Sequence, residues 1–187
     1  MLNWLLPDYV FKQFDDITPE FLSSLGIKAL LIDIDNTLAP YEVAEPDERI
    51  KKWFDDLEKN SISATLVSNN GRERVELFNR TLELPYYYNS GKPFAKNLKK
   101  AMRDMDSDIT NTAMLGDQLL TDAAAGKHIG LTTFIVPPIN DKTSAFFRAK
   151  RALEVPTIKK YVRKHGGNSA EICEFWTEKK YKKKNRG

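Results

Sequence analysis

Cysteine is almost missing from this 187-residue chain: Cys173 stands alone. An internal disulfide is therefore excluded, and no Cys/His spacing matches a metal site. A lone thiol fits a reducing, cytoplasmic setting. Histidine is nearly as scarce. His128 and His165 both read as residues at helix C-termini, where the dipole favours a cation. No run approaches the roughly 20 apolar residues a bilayer-spanning helix needs. The first residues, MLNWLLPDYVF, carry no positive segment and no small-residue cleavage site, so they do not read as a signal peptide. Without such a signal, the sequon Asn79-Arg80-Thr81 is not expected to be used. No internal repeat of 20–50 residues is visible.

What is present has an ordinary globular composition, 41% hydrophobic and 29% charged. Charge is unevenly spread. Residues 1–141 hold 15 Lys/Arg against 22 Asp/Glu, and residues 142–187 hold 14 against 4. Three parts follow: an apolar, partly helical N-terminal extension over 1–27, a core over 28–141, and a basic helical part over 142–187 with a disordered tail from Lys179. The N-terminal cluster of Leu2, Trp4, Leu5, Leu6, Tyr9, Val10, Phe11 and Phe14 is suited either to the core or to a lipid interface.

Within the core, apolar runs and helical patterns alternate. Residues 28–35, 62–68, 86–88, 112–117 and 131–137 read as strands. Residues 18–26, 47–59, 72–82, 93–105 and 118–128 read as helices. Short connections between the two predict an α/β fold: a Rossmann-like, open, mostly parallel sheet with helices on both faces. Ligands of such sheets bind outside the carboxyl ends of the strands. Three of these strands end in Asp33/Asp35, Ser68 and Asp117, so residues scattered along the sequence converge on one crevice.

The chemistry of these residue types is specific. Two carboxylates two residues apart, Asp33 and Asp35, repel unless a divalent cation joins them, and oxygen-only ligands favour Mg²⁺. One of the pair can attack phosphorus while the other handles protons. Ser68 and the amides beside it suit a phosphoryl oxygen. Lys92 can neutralise developing charge. Asp117 can complete a metal site that Asp122 supports.

In order and spacing, DIDNTL, Ser68, Lys92-Pro93 and GDQLLTD resemble the four motifs of the haloacid dehalogenase superfamily over about residues 28–137. The resemblance implies that Asp33 is a nucleophile, Asp35 a general acid/base and Lys92 a charge stabiliser. It further implies phosphate contacts at Ser68, Asn69 and Thr37, and Mg²⁺ at Asp33, the Asp35 carbonyl and Asp117, with Asp122 in support. Dehalogenases of the superfamily lack an acid at the position of Asp35, so its presence argues for a phosphatase. Only 32 residues separate Asp35 from Ser68 and 23 separate Ser68 from Lys92, which leaves no room for a large cap domain.

The whole pattern resembles the YqeG-type branch of class IIIA phosphatases, similar to fungal mitochondrial phosphatases of phosphatidylglycerophosphate. It implies a phosphate-monoester substrate on a lipid head group, and the apolar N-terminal cluster and basic C-terminal part suit peripheral contact with an anionic membrane surface. The alternative is a soluble sugar phosphate, nucleotide or phosphoprotein. A nucleic-acid-binding role for the basic tail is not expected, because no recognisable binding fold accompanies it.

Overall fold

The computed structural model describes residues 3–140 and 145–166. The strands are Tyr9–Val10 (β1), Ala29–Ile32 (β2), Ser63–Val67 (β3), Tyr86–Tyr87 (β4), Thr112–Gly116 (β5) and Thr132–Ile135 (β6). They form one sheet in the order β1-β6-β5-β2-β3-β4. Every pairing is parallel. The helices are Pro19–Ser24 (α1), Glu48–Lys59 (α2), Arg72–Asn79 (α3), Lys96–Asp104 (α4), Ala124–His128 (α5) and Ala145–His165 (α6).

The two faces of the sheet follow from strand periodicity. Along β2, Leu30 and Ile32 pack with Ile50, Trp53, Phe54 and Leu57 of α2 and Val75 and Phe78 of α3. Leu31, between them, faces Leu98 and Ala101 of α4 and Ala125 of α5. β5 repeats the pattern, with Leu115 on the first face and Met114 on the second. Because both faces are covered, β2 is buried at all four positions. That is why the sequence shows a continuous apolar run there rather than an alternating one. Each fully buried Leu, Ile or Phe contributes about 1.5–3 kcal/mol.

Helix ends are set locally. Asp47 caps α2 by accepting from Ile50 N at 2.9 Å. Thr18 caps α1 through Phe21 N, with Pro19 at the first helical position.

The N-terminal segment belongs to the core. β1 adds to the sheet beside β6 in register Tyr9↔Phe134. Leu5, Val10 and Phe14 are buried, and Trp4 alone among the described large apolar side chains of this stretch is exposed. Trp53 of α2 donates from Nε1 to Ile17 O at 2.9 Å and ties the segment down. α6 closes the β1 edge. Ile158 and Tyr161 pack on Val10 and Ile135. Val10 N donates to Tyr161 Oη at 3.1 Å. The basic tail from Lys179 lies outside the described residues.

Two helices differ from expectation at their starts. The one expected from residue 93 begins at Lys96, because residues 90–92 are bound by the side chain of Asn69 instead. The one expected over 118–128 opens as a wide π-helical turn, Leu119–Ala123, before α5. Among the described residues, no helix is long and apolar enough to cross a membrane. Between β2 and β5 the chain holds only α2, β3, α3, β4 and α4, with no inserted domain.

Candidate active site

Parallel strands bring the carboxyl ends of β2, β3, β5 and β6 to one edge. Asp33 continues the β2 ladder by donating its N–H to Leu115 O at 2.9 Å. Ser68 does the same for β3 through Tyr87 O at 2.9 Å. The chain then turns sharply at Asn36, whose φ of 65° is a left-handed conformation that asparagine tolerates. Asn36 O and Oδ1 accept from Ile139 N and Asn140 N, which fastens the loop after β6 to this turn.

Asp33, Asp117 and Asp122 form a buried cluster with one carboxylate oxygen of each within 4.8 Å of the others. Lys92 Nζ enters it from the far side, 2.6 Å from Asp33 Oδ1 and 2.7 Å from Asp122 Oδ1. Its remaining hydrogen reaches Val67 O at 2.7 Å. Burial disfavours the lysine's charge, but the Asp122 and Asp33 carboxylates outweigh it and hold the ammonium above its usual range. Asp33 is pushed the other way. Burial raises its carboxyl from 3.8 to about 8, against the lowering pull of Lys92 and with the push of Asp122 and Asp117.

Three carboxylates against one ammonium leave a net negative, oxygen-only donor set. That chemistry fits a hard divalent cation. The carboxylate of Asp35 lies outside the cluster, which leaves its backbone carbonyl as the group the resemblance assigns to a metal.

Glycine makes this closeness possible. A Cβ on Gly116 would lie 2.3 Å from Asp122 Cβ and Cγ. The π-helical turn carries Asp122 back under the strand end, where its Oδ2 accepts from Gln118 N at 3.1 Å. Such turns recur at functional sites.

The remaining residues read from the sequence also gather here. Thr37 Oγ1 donates to Asp33 Oδ2 at 3.4 Å. Ser68 is buried, and its Oγ accepts from Asn70 N at 3.1 Å, leaving the hydroxyl hydrogen for an anion. The side chain of Asn69 serves the neighbouring loop. Its Oδ1 accepts from Ser90 Oγ and Lys92 N, each at 2.9 Å. Its Nδ2 donates to Lys92 O at 2.9 Å. The amide thus fixes the loop that delivers Lys92, and only the backbone of Asn69 remains for a phosphoryl group.

Asp35 is engaged by two residues that the sequence did not single out. Arg74 donates to Asp35 Oδ1 from Nε at 3.1 Å and Nη2 at 3.0 Å. Asn70 Nδ2 donates to Asp35 Oδ2. One sequence signal was available for Arg74, although Arg72 of the same turn shares it. An arginine in the first turn of a helix opposes the macrodipole unless an acid answers it.

Comparisons with known proteins bear on the family and the fold. The family model of HAD-hydrolase-like proteins matches residues 89–144. The chain is 34% identical over 152 residues to the "Probable phosphatase YqeG" of Bacillus subtilis (strain 168), covering 81% of this chain and 88% of that protein. It is 27% identical over 172 residues to "Phosphatidylglycerophosphate phosphatase 1, chloroplastic/mitochondrial" of Arabidopsis thaliana, covering 87% of this chain and 49% of that protein. Among solved structures, a putative 3-deoxy-D-manno-octulosonate 8-phosphate phosphatase from Vibrio cholerae superposes with a TM-score of 0.51 at 14% identity, over 70% of this chain and 75% of that one. That likeness concerns the fold.

Proposed function

The chain belongs to the haloacid dehalogenase-like phosphatases, enzymes that hydrolyse phosphate monoesters with a divalent metal, and on that footing we propose that Asp33 is its nucleophile and phosphatidylglycerophosphate its substrate. The observation that carries the chemistry is the buried Asp33–Lys92 pair beside Asp117 and Asp122. Lys92 holds one oxygen of Asp33, which aims the carboxylate and offsets the charge gathering on phosphorus. Asp33 attacks phosphorus, and the bond from phosphorus to the leaving alcohol breaks as Asp35 gives that oxygen a proton. Asp35 then takes a proton from the water that attacks the aspartyl phosphate. The bond to Asp33 breaks, phosphate leaves and both acids are restored. Ser68 donates its hydroxyl to a phosphoryl oxygen, while Thr37 steadies the second oxygen of Asp33. Asp33, the Asp35 carbonyl and Asp117, with Asp122 in support, would hold Mg²⁺, which would supply charge neutralisation for the phosphoryl group.

Two observations favour a lipid head group. One is the likeness to the plant phosphatidylglycerophosphate phosphatase. The other is the rim of the site. Nine large apolar side chains are exposed among the described residues. Five of them, Tyr41, Val43, Tyr88, Phe94 and Ile139, lie on the loops that follow β2, β4 and β6 at the carboxyl edge. Phe94, two residues past Lys92, is 77% exposed. An apolar rim around an uncapped cleft suits a substrate presented in a bilayer surface.

The test measures magnesium-dependent phosphate release from phosphatidylglycerophosphate vesicles and from a panel of soluble esters, with wild type and Asp33→Asn side by side. Hydrolysis of the lipid by wild type alone is expected. Rapid turnover of a soluble ester with the lipid untouched would overturn the substrate, and turnover by Asp33→Asn would overturn the nucleophile.

A further inference from the structure

The grip on Asp35 has no role in the two-step chemistry just described. Arg74 donates twice to Oδ1 of this carboxylate, and Asn70 Nδ2 donates once to Oδ2. The guanidinium is a donor without acceptor capacity, and its two N–H groups fill both lone pairs of Oδ1. A proton can sit on Oδ1 only when Arg74 lets go.

Arg74 is the partner built to do so. Its guanidinium is stacked near two rings, with Cζ 5.2 Å from the centroid of Phe78 and 5.9 Å from that of Tyr41. The stacking holds the planar fork in place without needing Asp35. Its Nη1 is buried and has no hydrogen-bond acceptor among the described residues. Tyr41 is exposed, so Arg74 lies between the acid and a ring at the surface. The guanidinium is one hydrogen bond from Asp35, and Asp35 must come within one hydrogen bond of the leaving oxygen. Through Oδ1, Arg74 thus lies within about 6 Å of that oxygen, two hydrogen bonds in series. A group two or three carbons along the leaving alcohol can reach it.

We infer that Arg74 is a specificity-determining residue which exchanges Asp35 for a second phosphate anion on the leaving alcohol. Such substrates bring their own acceptor for the fork, which frees Asp35 to donate. The shared chemistry is a phosphate, as diester or monoester, a short spacer from the phosphate that is cleaved. This rests on the reading of Asp35 as the proton donor. A phospholipid supplies the anion as its diester, and a soluble bisphosphate supplies it as a second monoester.

The experiment compares kcat/KM on three substrates with the same kind of primary-alcohol leaving group: phosphatidylglycerophosphate in vesicles, 1,3-propanediol bisphosphate, and glycerol 3-phosphate. Wild type is expected to favour the two that carry a second anion. In Arg74→Gln the ratio of either to glycerol 3-phosphate should fall about 10- to 100-fold, the range for losing a charged hydrogen bond. Arg74→Lys should restore part of it. The ratio cancels any general damage to Asp35 or to folding. A wild type that does not discriminate between propanediol bisphosphate and glycerol 3-phosphate would overturn the inference without any variant. So would a ratio that Arg74→Gln leaves unchanged. If the bisphosphate shows the Arg74-dependent preference while the lipid is untouched, the lipid substrate fails and the role of Arg74 stands.

Discussion

Lys92 reaches 59 positions back along the chain to set its Nζ 2.6 Å from Oδ1 of Asp33. Neither residue is stable in that place alone, since an isolated charge buried this deeply would neutralise itself. Together with Asp122 they form a charge pattern in which the lysine stays ionised and the aspartate is the strained member. Strain on that one carboxylate is what a bound cation would relieve.

Replacing Asp33 by Asn tests the nucleophile with least disturbance of shape. Turnover of any phosphate ester should drop by about 10³-fold or more. The far-ultraviolet circular dichroism and the unfolding transition should remain those of a folded protein, because Lys92 keeps Asp122 as a partner.

Magnesium and pH should act on stability through the same carboxyl. In the folded, metal-free protein the carboxyl of Asp33 titrates near 8, far above the 3.8 of the unfolded chain. Between those values the folded state holds a proton that the unfolded state has released, so stability from this group falls as pH rises through the interval. A bound cation favours the ionised form and offsets the loss. Melting temperatures in chelator should therefore decline from pH 6 to pH 8.5, and the gain from adding Mg²⁺ should be larger at pH 8.5. Asp33→Asn should flatten this particular difference. Equal Mg²⁺ stabilisation at both pH values would contradict the assignment.

Gly116→Ala should damage the proposed metal site without replacing any of its residues. The added methyl would collide with Asp122, which must then shift away from Lys92 and Asp117. A loss of about 1–3 kcal/mol in denaturant unfolding is expected, as for other overpacked cores. The Mg²⁺ concentration for half-maximal activity should rise as well.

Phe94→Ser addresses the apolar rim. The side chain is mostly exposed, so stability should change by no more than about 0.5 kcal/mol. Hydrolysis of vesicle lipid should fall while hydrolysis of a soluble ester persists. Sedimentation with vesicles, measured beside the kinetics, should weaken in parallel. Equal losses on both substrates would argue against the rim as a lipid contact.

Much of this was legible in the residues themselves. The β2 and β5 strands announced themselves because burial on both faces leaves continuous apolar runs, and their polar endings named Asp33 and Asp117. What was not legible depends on partners far away in sequence. β1 is two residues long, and only its pairing with β6 makes it a strand. Arg74 acquires its meaning from Asp35, 39 residues earlier. Resemblance assigned the backbone amides near Asn69 to phosphate, and nothing local showed that its side chain would hold the Lys92 loop. The π-helical turn at Leu119–Ala123 has the composition of an ordinary helix, and its widening answers to Asp122 and Gly116 rather than to propensity.

The place of β1 has a consequence for how the molecule is made. During synthesis Tyr9 and Val10 emerge early, yet their hydrogen-bonding partners Phe134 and Ile135 are translated more than a hundred residues later. The inner strands can assemble while the ribosome is still working, but the apolar leading segment must wait, exposed, for β6 and then α6 to arrive. Closure of that edge is a long-range event, slow by the usual dependence of folding rate on contact separation. Until β6 is in place, the newborn chain is thus open to chaperones and proteases around Tyr9 and Val10.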